Sequence, residues 1–145
     1  MKRIIITIAL IIVTQTINAQ ISISQTKTIG YIKNGSEDDA RLAISGNNIT
    51  LTIMGVDINK QWSSQSIRFT GTENDLNSLY DAICTVFAPE NKKNGDYSLE
   101  LTLGTEIVKI ENKKMLGNPY VVIGIPGRFN SRQLTKGQIN QLFGK

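Results

Sequence analysis

Histidine is absent from this 145-residue chain, and cysteine occurs only once, at Cys84. The lack of histidine removes the usual general base, the commonest metal ligand and the ordinary serine or cysteine catalytic triad. A single cysteine cannot form a disulfide within the chain, so the fold must rely on packing and sheet pairing. We therefore expect neither a metal site nor a cofactor, and we interpret Cys84 as a core residue.

Long apolar runs are also missing, since none reaches the roughly twenty residues that a membrane-spanning helix needs. The N-terminus instead has the pattern of a secretory signal: basic Lys2 and Arg3, an apolar stretch from Ile4 to Val13 and a small residue at Ala19. Cleavage after Ala19 would give a signal peptide, residues 1–19, and one domain, residues 20–145. An uncleaved anchor is the alternative. We expect an exported domain, periplasmic or extracellular, that meets a membrane only through its signal peptide before cleavage.

Strong charge of either sign is missing as well. Without Lys2 and Arg3 the chain carries 14 basic and 12 acidic residues, and a net charge of +2 is too small to indicate nucleic acid as a partner. The charge is unevenly distributed, at −4 for residues 20–108 and +6 for residues 109–145. This basic segment either faces an anionic partner or compensates the acidic part of the same domain, and both interpretations stay open.

Alternation of apolar and polar residues is the commonest pattern in this sequence, and it predicts β-strands. In the first strand, Ile29 and Tyr31 share one parity and should be half-buried together. One hairpin is expected around the Gly-Asn-Asn turn at 46–48, and a further strand contains Ile67 and Phe69. A second hairpin has Gly104 and Thr105 as its two-residue turn. Leu101 then faces Val108 and Glu100 faces Lys109, so one register gives an apolar face and a cross-strand ion pair.

Two segments carry helix signals. Thr72 and Asp75 have the spacing of a capping box, and so do Thr135 and Gln138. The first helix should continue to Phe87, with an apolar stripe on one side. The stripe comprises Leu76, Leu79, Tyr80, Ile83 and Phe87.

The element order β, β, β, β, α, β, β, β, α predicts an α+β fold, with an antiparallel sheet and two helices packed on one face. Residues 33–89 and 93–145 both begin with Lys-Asn-Gly and contain a hairpin, a strand and a capped helix, which suggests a tandem βββα pseudo-repeat. Duplication and coincidence both remain open. The arrangement is similar to that of the β-lactamase inhibitor proteins, small exported proteins that pair helices with an antiparallel sheet. This likeness is one of architecture only.

Trp62 is the only tryptophan, and we place it in the polar loop "DINKQWSSQS". There the ring must either tuck under the loop or stay exposed as a recognition anchor. Arg128 and Arg132 in "GIPGRFNSR" are suited to an anion contact, and Lys136 belongs to the same basic segment. Trp62, Arg128, Arg132 and Lys136 form the candidate binding site.

The sequence favours a small exported binding module that recognises a protein or a cell-envelope glycan non-covalently. One alternative is an exported hydrolase with a carboxylate or serine site, for which Glu100 with Glu106 or Glu111 would be the paired carboxylates. The acidic cluster Glu37, Asp38 and Asp39 lacks the spacing of a calcium loop and is interpreted as a solvated turn. Another alternative is a structural envelope or virion-associated subunit that pairs a free strand edge with a second chain. No oligomeric state follows from these patterns.

Overall fold

The computed structural model describes residues 25–88, 91 and 97–145. In this part of the chain the elements are β1 (Thr26–Asn34), β2 (Glu37–Ser45), β3 (Asn48–Asp57), β4 (Trp62–Thr70), α1 (Glu73–Thr85), β5 (Ser98–Leu103), β6 (Glu106–Met115), β7 (Asn118–Ile125), β8 (Phe129–Ser131) and α2 (Lys136–Leu142). The fold is mostly antiparallel sheet with two short helices, so the predicted α+β class is confirmed at that level. The predicted signal peptide and the second Lys-Asn-Gly, at 93–95, lie outside the described residues.

Both predicted hairpins are present, and the register predicted for the second is confirmed. Leu42 pairs with Leu51 across β2 and β3, and Leu101 pairs with Val108 across β5 and β6. Glu100 faces Lys109 on the other side of the second hairpin. Gly104 has φ of 63°, the left-handed conformation that the first position of a two-residue hairpin turn requires. Alternation and turn chemistry together therefore determine these registers.

Strand β3 joins two antiparallel meanders into one sheet. Along one edge β3 pairs with β4. Along its other edge it pairs with β2 from Asn48 to Ile53, and then with β8 from Gly55 to Asp57. The strand order is therefore β1-β2-β3-β8-β7-β6-β5, with β4 beside β3. The sequence "PGRFNS" has the composition of a turn, but its last three residues form β8, which is too short for alternation to reveal it.

The first strand differs from its expected pattern because of a bulge. Thr28 faces Ala43 and the next paired residue, Gly30, faces Leu42, so Ile29 is left unpaired. Tyr31 therefore points outward and is 46% exposed, whereas Ile32 is buried. The bulge also brings Gly30 against α2, where an added Cβ would overlap the carbonyl oxygen of Gln141.

One cluster of buried apolar side chains includes residues from both meanders and both helices. Helix α1 contributes Leu76, Leu79 and Ile83, and α2 contributes Ile139 and Leu142. Both capping boxes are present as predicted. Helix α1 ends at Thr85, before Phe87, although the Phe87 side chain is still buried. Among the described residues, no helix has the length and apolar character needed to cross a bilayer.

Candidate functional site

The outward face of the sheet is defined by residues that alternate with the core. Ile53 in β3 and Ile67 in β4 are buried, so Met54, Trp62 and Ser64, at the opposite parity, lie on the other face. Trp62 is the first residue of β4 and pairs with Val56. Our placement of Trp62 in a loop was therefore wrong. Its residue surface is 60% exposed, so the ring is not tucked away.

Arg132 reaches this face because β8 continues along β3 where β2 ends. The backbone N–H of Arg132 donates to the carbonyl oxygen of Met54, at 3.2 Å. Its guanidinium carbon lies 4.5 Å from the centre of the Trp62 ring, within the range of a cation–π contact. The same guanidinium donates from Nη1 to both carboxylate oxygens of Asp39, at 3.1 and 3.3 Å. Arg132 thus lies between an aromatic ring on β4 and a carboxylate on β2.

These three residues line a pocket of about 510 Å³, which we call the Trp62 pocket. Its lining consists of Asn34, Glu37, Asp39, Met54, Trp62, Ser63, Ser64 and Arg132. Asp39 is only 8% exposed. The Ser63 hydroxyl oxygen is buried with no hydrogen-bond partner in the described part of the chain. The pocket therefore combines one exposed aromatic ring with hydroxyl, amide and carboxylate groups.

The other two predicted site residues lie elsewhere. Arg128 is in the turn between β7 and β8, and its Nη2 lies 2.9 Å from Glu106 Oε1. Lys136 is the first residue of α2 and is exposed. Neither residue lines the Trp62 pocket, so the structure brings together Trp62 and Arg132 from the predicted set.

Sequence reasoning missed Asp39, the residue that holds Arg132 in place. We had interpreted it as part of a solvated acidic turn, but Asp39 lies within β2 and is buried. Asp39 and Arg41 are two residues apart in β2 and therefore lie on the same, outward face of the strand. An acidic residue inside a strand usually has a specific partner, and this was the signal that could have identified Asp39. Its partner lies 93 residues later, and no local pattern predicts that contact.

Of the carboxylates considered for a hydrolase, Glu106 and Glu111 are engaged with basic side chains. Glu111 accepts from Lys109 at 2.7 Å and from Lys113 at 3.2 Å. The hydrogen bond from Lys109 lowers the pKa of Glu111, and the same bond raises the pKa of Lys109. A carboxyl with a lowered pKa is poorly suited to act as a general acid. This group of residues is therefore a surface ion-pair network and lacks the features of a catalytic pair.

Four of the seven basic residues in the C-terminal segment take part in ion pairs. Lys109, Lys113, Arg128 and Arg132 each lie within ion-pair distance of a carboxylate. The Trp62 pocket contains two carboxylates and one guanidinium, a formal charge of −1. It is therefore better matched to an uncharged polar ligand than to an anion. Within the described ranges, no three His, Cys, Asp or Glu residues gather as a metal would require.

Comparison with protein-family models, curated protein sequences and solved structures finds no match for this chain. Function has to be derived from the geometry of the site, because a fold by itself does not determine function.

Proposed function

We propose that the chain is an exported binding module whose ligand is a cell-envelope glycan held non-covalently in the Trp62 pocket. The observation that carries this proposal is the position of Arg132, fixed between the Asp39 carboxylate and the Trp62 ring. An exposed tryptophan held rigidly at the rim of a polar pocket is a preorganised contact, which reduces the entropy lost on binding.

The chemistry of the lining matches a sugar. One face of a pyranose ring presents C–H groups that pack on an aromatic surface, while its hydroxyls point outward from the ring edge. Trp62 supplies the apolar surface, and the carboxylate of Glu37 and the amide of Asn34 supply acceptors and donors. The formal charge of −1 disfavours phosphorylated or acidic sugars, so we expect a neutral oligosaccharide.

A protein partner is the second ligand class that Trp62 could serve, since exposed tryptophans are frequent anchors of protein interfaces. Such a partner would need a flat contact area much larger than this pocket. The pocket's concave shape and polar lining therefore favour a sugar over a protein surface.

Hydrolysis is the second candidate activity, because Glu37 and Asp39 line the same pocket as Ser63 and Ser64. Both oxygens of Asp39 accept hydrogen bonds from Arg132, which commits this carboxylate to an ion pair. A glycosidase needs one carboxyl that donates a proton and another that attacks or activates water. Glu37 alone cannot fill both roles, so binding without cleavage is the better match.

A glycan array built from neutral envelope oligosaccharides, followed by titration calorimetry on the best ligand, tests the proposal. We expect Trp62→Ala to weaken binding by about tenfold or more, because the ring supplies most of the apolar contact. Tyr31→Ala is the matched control, since Tyr31 is another exposed aromatic that does not line this pocket. Equal affinity of wild type and Trp62→Ala would refute the site. Release of shorter sugars, abolished by Glu37→Gln, would favour the hydrolase instead.

Export of the domain, the pseudo-repeat and the packing of both helices on one face of the sheet are parts of the same proposal. N-terminal sequencing of the natural protein should find Gln20 as the first residue. A tandem βββα pseudo-repeat, residues 33–89 and 93–145, remains part of the proposal; four strands, one more than in that unit, precede each capped helix in the described chain. Nuclear Overhauser contacts from both helices to inward side chains of the sheet would support packing on one face, whereas contacts to outward side chains such as Thr52 would contradict it.

A further inference from the structure

The turn between β6 and β7 exposes the apolar side chain of Leu116, which does not contribute to the core. Leu116 is 95% exposed and has φ of 51°, and Gly117 follows with φ of 84°. Two successive left-handed residues make the hairpin turn that Asn-Gly ordinarily occupies. A leucine is strained in this conformation, and its side chain gains no burial in return. Such a residue indicates a function outside the fold of the single chain.

Within the described residues, the same turn lies at the end of a projecting arm. Strand β5 pairs with β6 as far as Glu111, and the Asn112 N–H donates to the Tyr97 carbonyl oxygen at 2.9 Å. On the other side, Leu134 bridges β7 at Val121. Beyond these points, three cross-strand pairs have no further strand beside them in the described part of the chain. The pairs are Lys113 with Tyr120, Lys114 with Pro119, and Met115 with Asn118. We call residues 113–120 the hairpin arm. Three residues of strand correspond to a projection of about 10 Å.

Charge on the hairpin arm is of one sign. Lys113 and Lys114 are exposed just behind the turn, and no acidic residue occurs between 112 and 120. Glu111, at the base of the arm, is already paired with Lys109 and Lys113. Met115 is 48% exposed, so the apex consists of two accessible apolar side chains with a basic collar behind them.

We propose that the hairpin arm inserts its apex into the surface of a bilayer that contains anionic lipid, a second membrane contact besides the signal peptide, which is the only one that the sequence predicts. Leu116 and Met115 would enter the boundary between head groups and acyl chains, while Lys113 and Lys114 would stay at the level of the lipid phosphates. The length of the arm matches the depth of roughly 5–10 Å at which interfacial segments bury their apolar face. Tyr120, half-buried at the base of the arm, is of the residue type enriched at that level.

A lipid surface suits this arm better than an acidic protein does. Recognition of a protein depends on hot-spot residues in well-packed pockets, with tryptophan, tyrosine and arginine the commonest. The apex instead offers leucine and methionine on a convex tip, which needs no complementary groove in a fluid interface. One small apex and two lysines give weak, reversible binding, so the arm would place the module at the membrane without anchoring it there.

Co-sedimentation of the mature chain, residues 20–145, with vesicles tests this proposal, because the apolar stretch from Ile4 to Val13 would itself partition into a bilayer. The probes are vesicles of phosphatidylcholine mixed with phosphatidylglycerol, and vesicles of phosphatidylcholine alone. We expect preference for the anionic vesicles, with about a fivefold loss of partitioning for Lys114→Gln. Leu116→Asn should lower partitioning by about tenfold or more, because the side chain no longer buries apolar surface. Asparagine tolerates the left-handed conformation, so this variant should fold at least as stably as wild type and separate lost binding from lost structure.

Ile58→Ser is the matched control, since Ile58 is also exposed, at 71%, but lies in the turn between β3 and β4. It should leave vesicle binding unchanged, as should Trp62→Ala, which keeps this test independent of the glycan test. The proposal is overturned if Leu116→Asn partitions like wild type, or if both vesicle types bind equally. It is also overturned if wild type binds neither vesicle, including the case in which the arm captures an acidic protein instead.

Discussion

Arg132 and Asp39 are 93 residues apart in the chain, yet Arg132 Nη1 lies 3.1 Å from Asp39 Oδ1. The contact depends on β8, which follows β3 for three residues and brings Arg132 opposite the end of β2. The pair therefore links the two meanders at the point where their strands meet. It also fixes the side chain on which the Trp62 ring rests.

The first prediction concerns the unequal burial of Asp39 and Arg132. Arg132→Met should lower the free energy of unfolding by about 2–3 kcal/mol, because it leaves an almost buried carboxylate without its partner. Asp39→Asn should cost about 1 kcal/mol, since the amide oxygen still accepts a hydrogen bond and Arg132 retains access to water. Urea denaturation followed by circular dichroism measures both. Equal costs for the two variants would contradict the assignment of Asp39 as the more buried partner.

The sequence predicts those parts of the fold that depend on neighbouring residues. Alternation with a Gly-led turn was sufficient to pair Leu101 with Val108, and the capping box was sufficient to start α1 at the right residue. The bulge at Ile29 was not predictable in this way, because it accompanies the packing of Gly30 against α2, more than a hundred residues later in the chain.

Only two of the residues that meet at the candidate site could be predicted from the sequence. Trp62 and Arg132 were singled out by residue type, as a lone tryptophan and as a basic residue after a turn. Asp39 and the pocket lining depend on the pairing of β8 with β3, and a three-residue strand leaves no periodic signal. Arg128 lies away from this pocket for a related reason, because its partner Glu106 belongs to a different hairpin.

The second prediction concerns the junction between β3 and β8. An added Cβ at Gly55 would overlap the carbonyl oxygen of Asn130 and crowd the Phe129 ring. Gly55→Ala should therefore destabilise the fold by about 1–3 kcal/mol or more, since backbone cannot move aside as a flexible side chain can. Thermal denaturation measures this effect. Met54→Leu, at the neighbouring outward position, should cost less than about 1.5 kcal/mol as the control.

The third prediction is a stabilising change in α2. Gly137 is the second residue of this helix, and a Cβ there would approach only Thr135 Oγ1, at 3.9 Å. Gly137→Ala should raise the free energy of unfolding by about 0.5–1 kcal/mol, because alanine restricts the unfolded chain and favours the helix. Urea denaturation again provides the measurement. A loss of stability would show that α2 needs glycine for a reason other than helix formation.

The fourth prediction uses the two capping boxes as a matched pair. Asp75 accepts hydrogen bonds from the Thr72 backbone N–H at 2.7 Å and from its hydroxyl at 2.8 Å. The backbone hydrogen bond is the main cause that lowers the pKa of Asp75 in the folded chain. In α2 the equivalent position is Gln138, whose Oε1 accepts from the Thr135 N–H at 2.8 Å and does not titrate.

The pH dependence of this stabilisation follows from the difference between the pKa of Asp75 in the folded and in the unfolded chain. A carboxyl whose pKa is lower in the folded chain than its unfolded value of about 3.9 stabilises the fold fully above that value, and this contribution is lost as the pH falls through the folded pKa. Asp75→Ala should therefore be most destabilising near neutral pH, and its effect should shrink below about pH 4. Gln138→Ala should cost the same amount across this range. Urea denaturation of both variants from neutral to acidic pH measures the two profiles, and a constant cost for Asp75→Ala would show that the ionised carboxylate does not stabilise the start of α1.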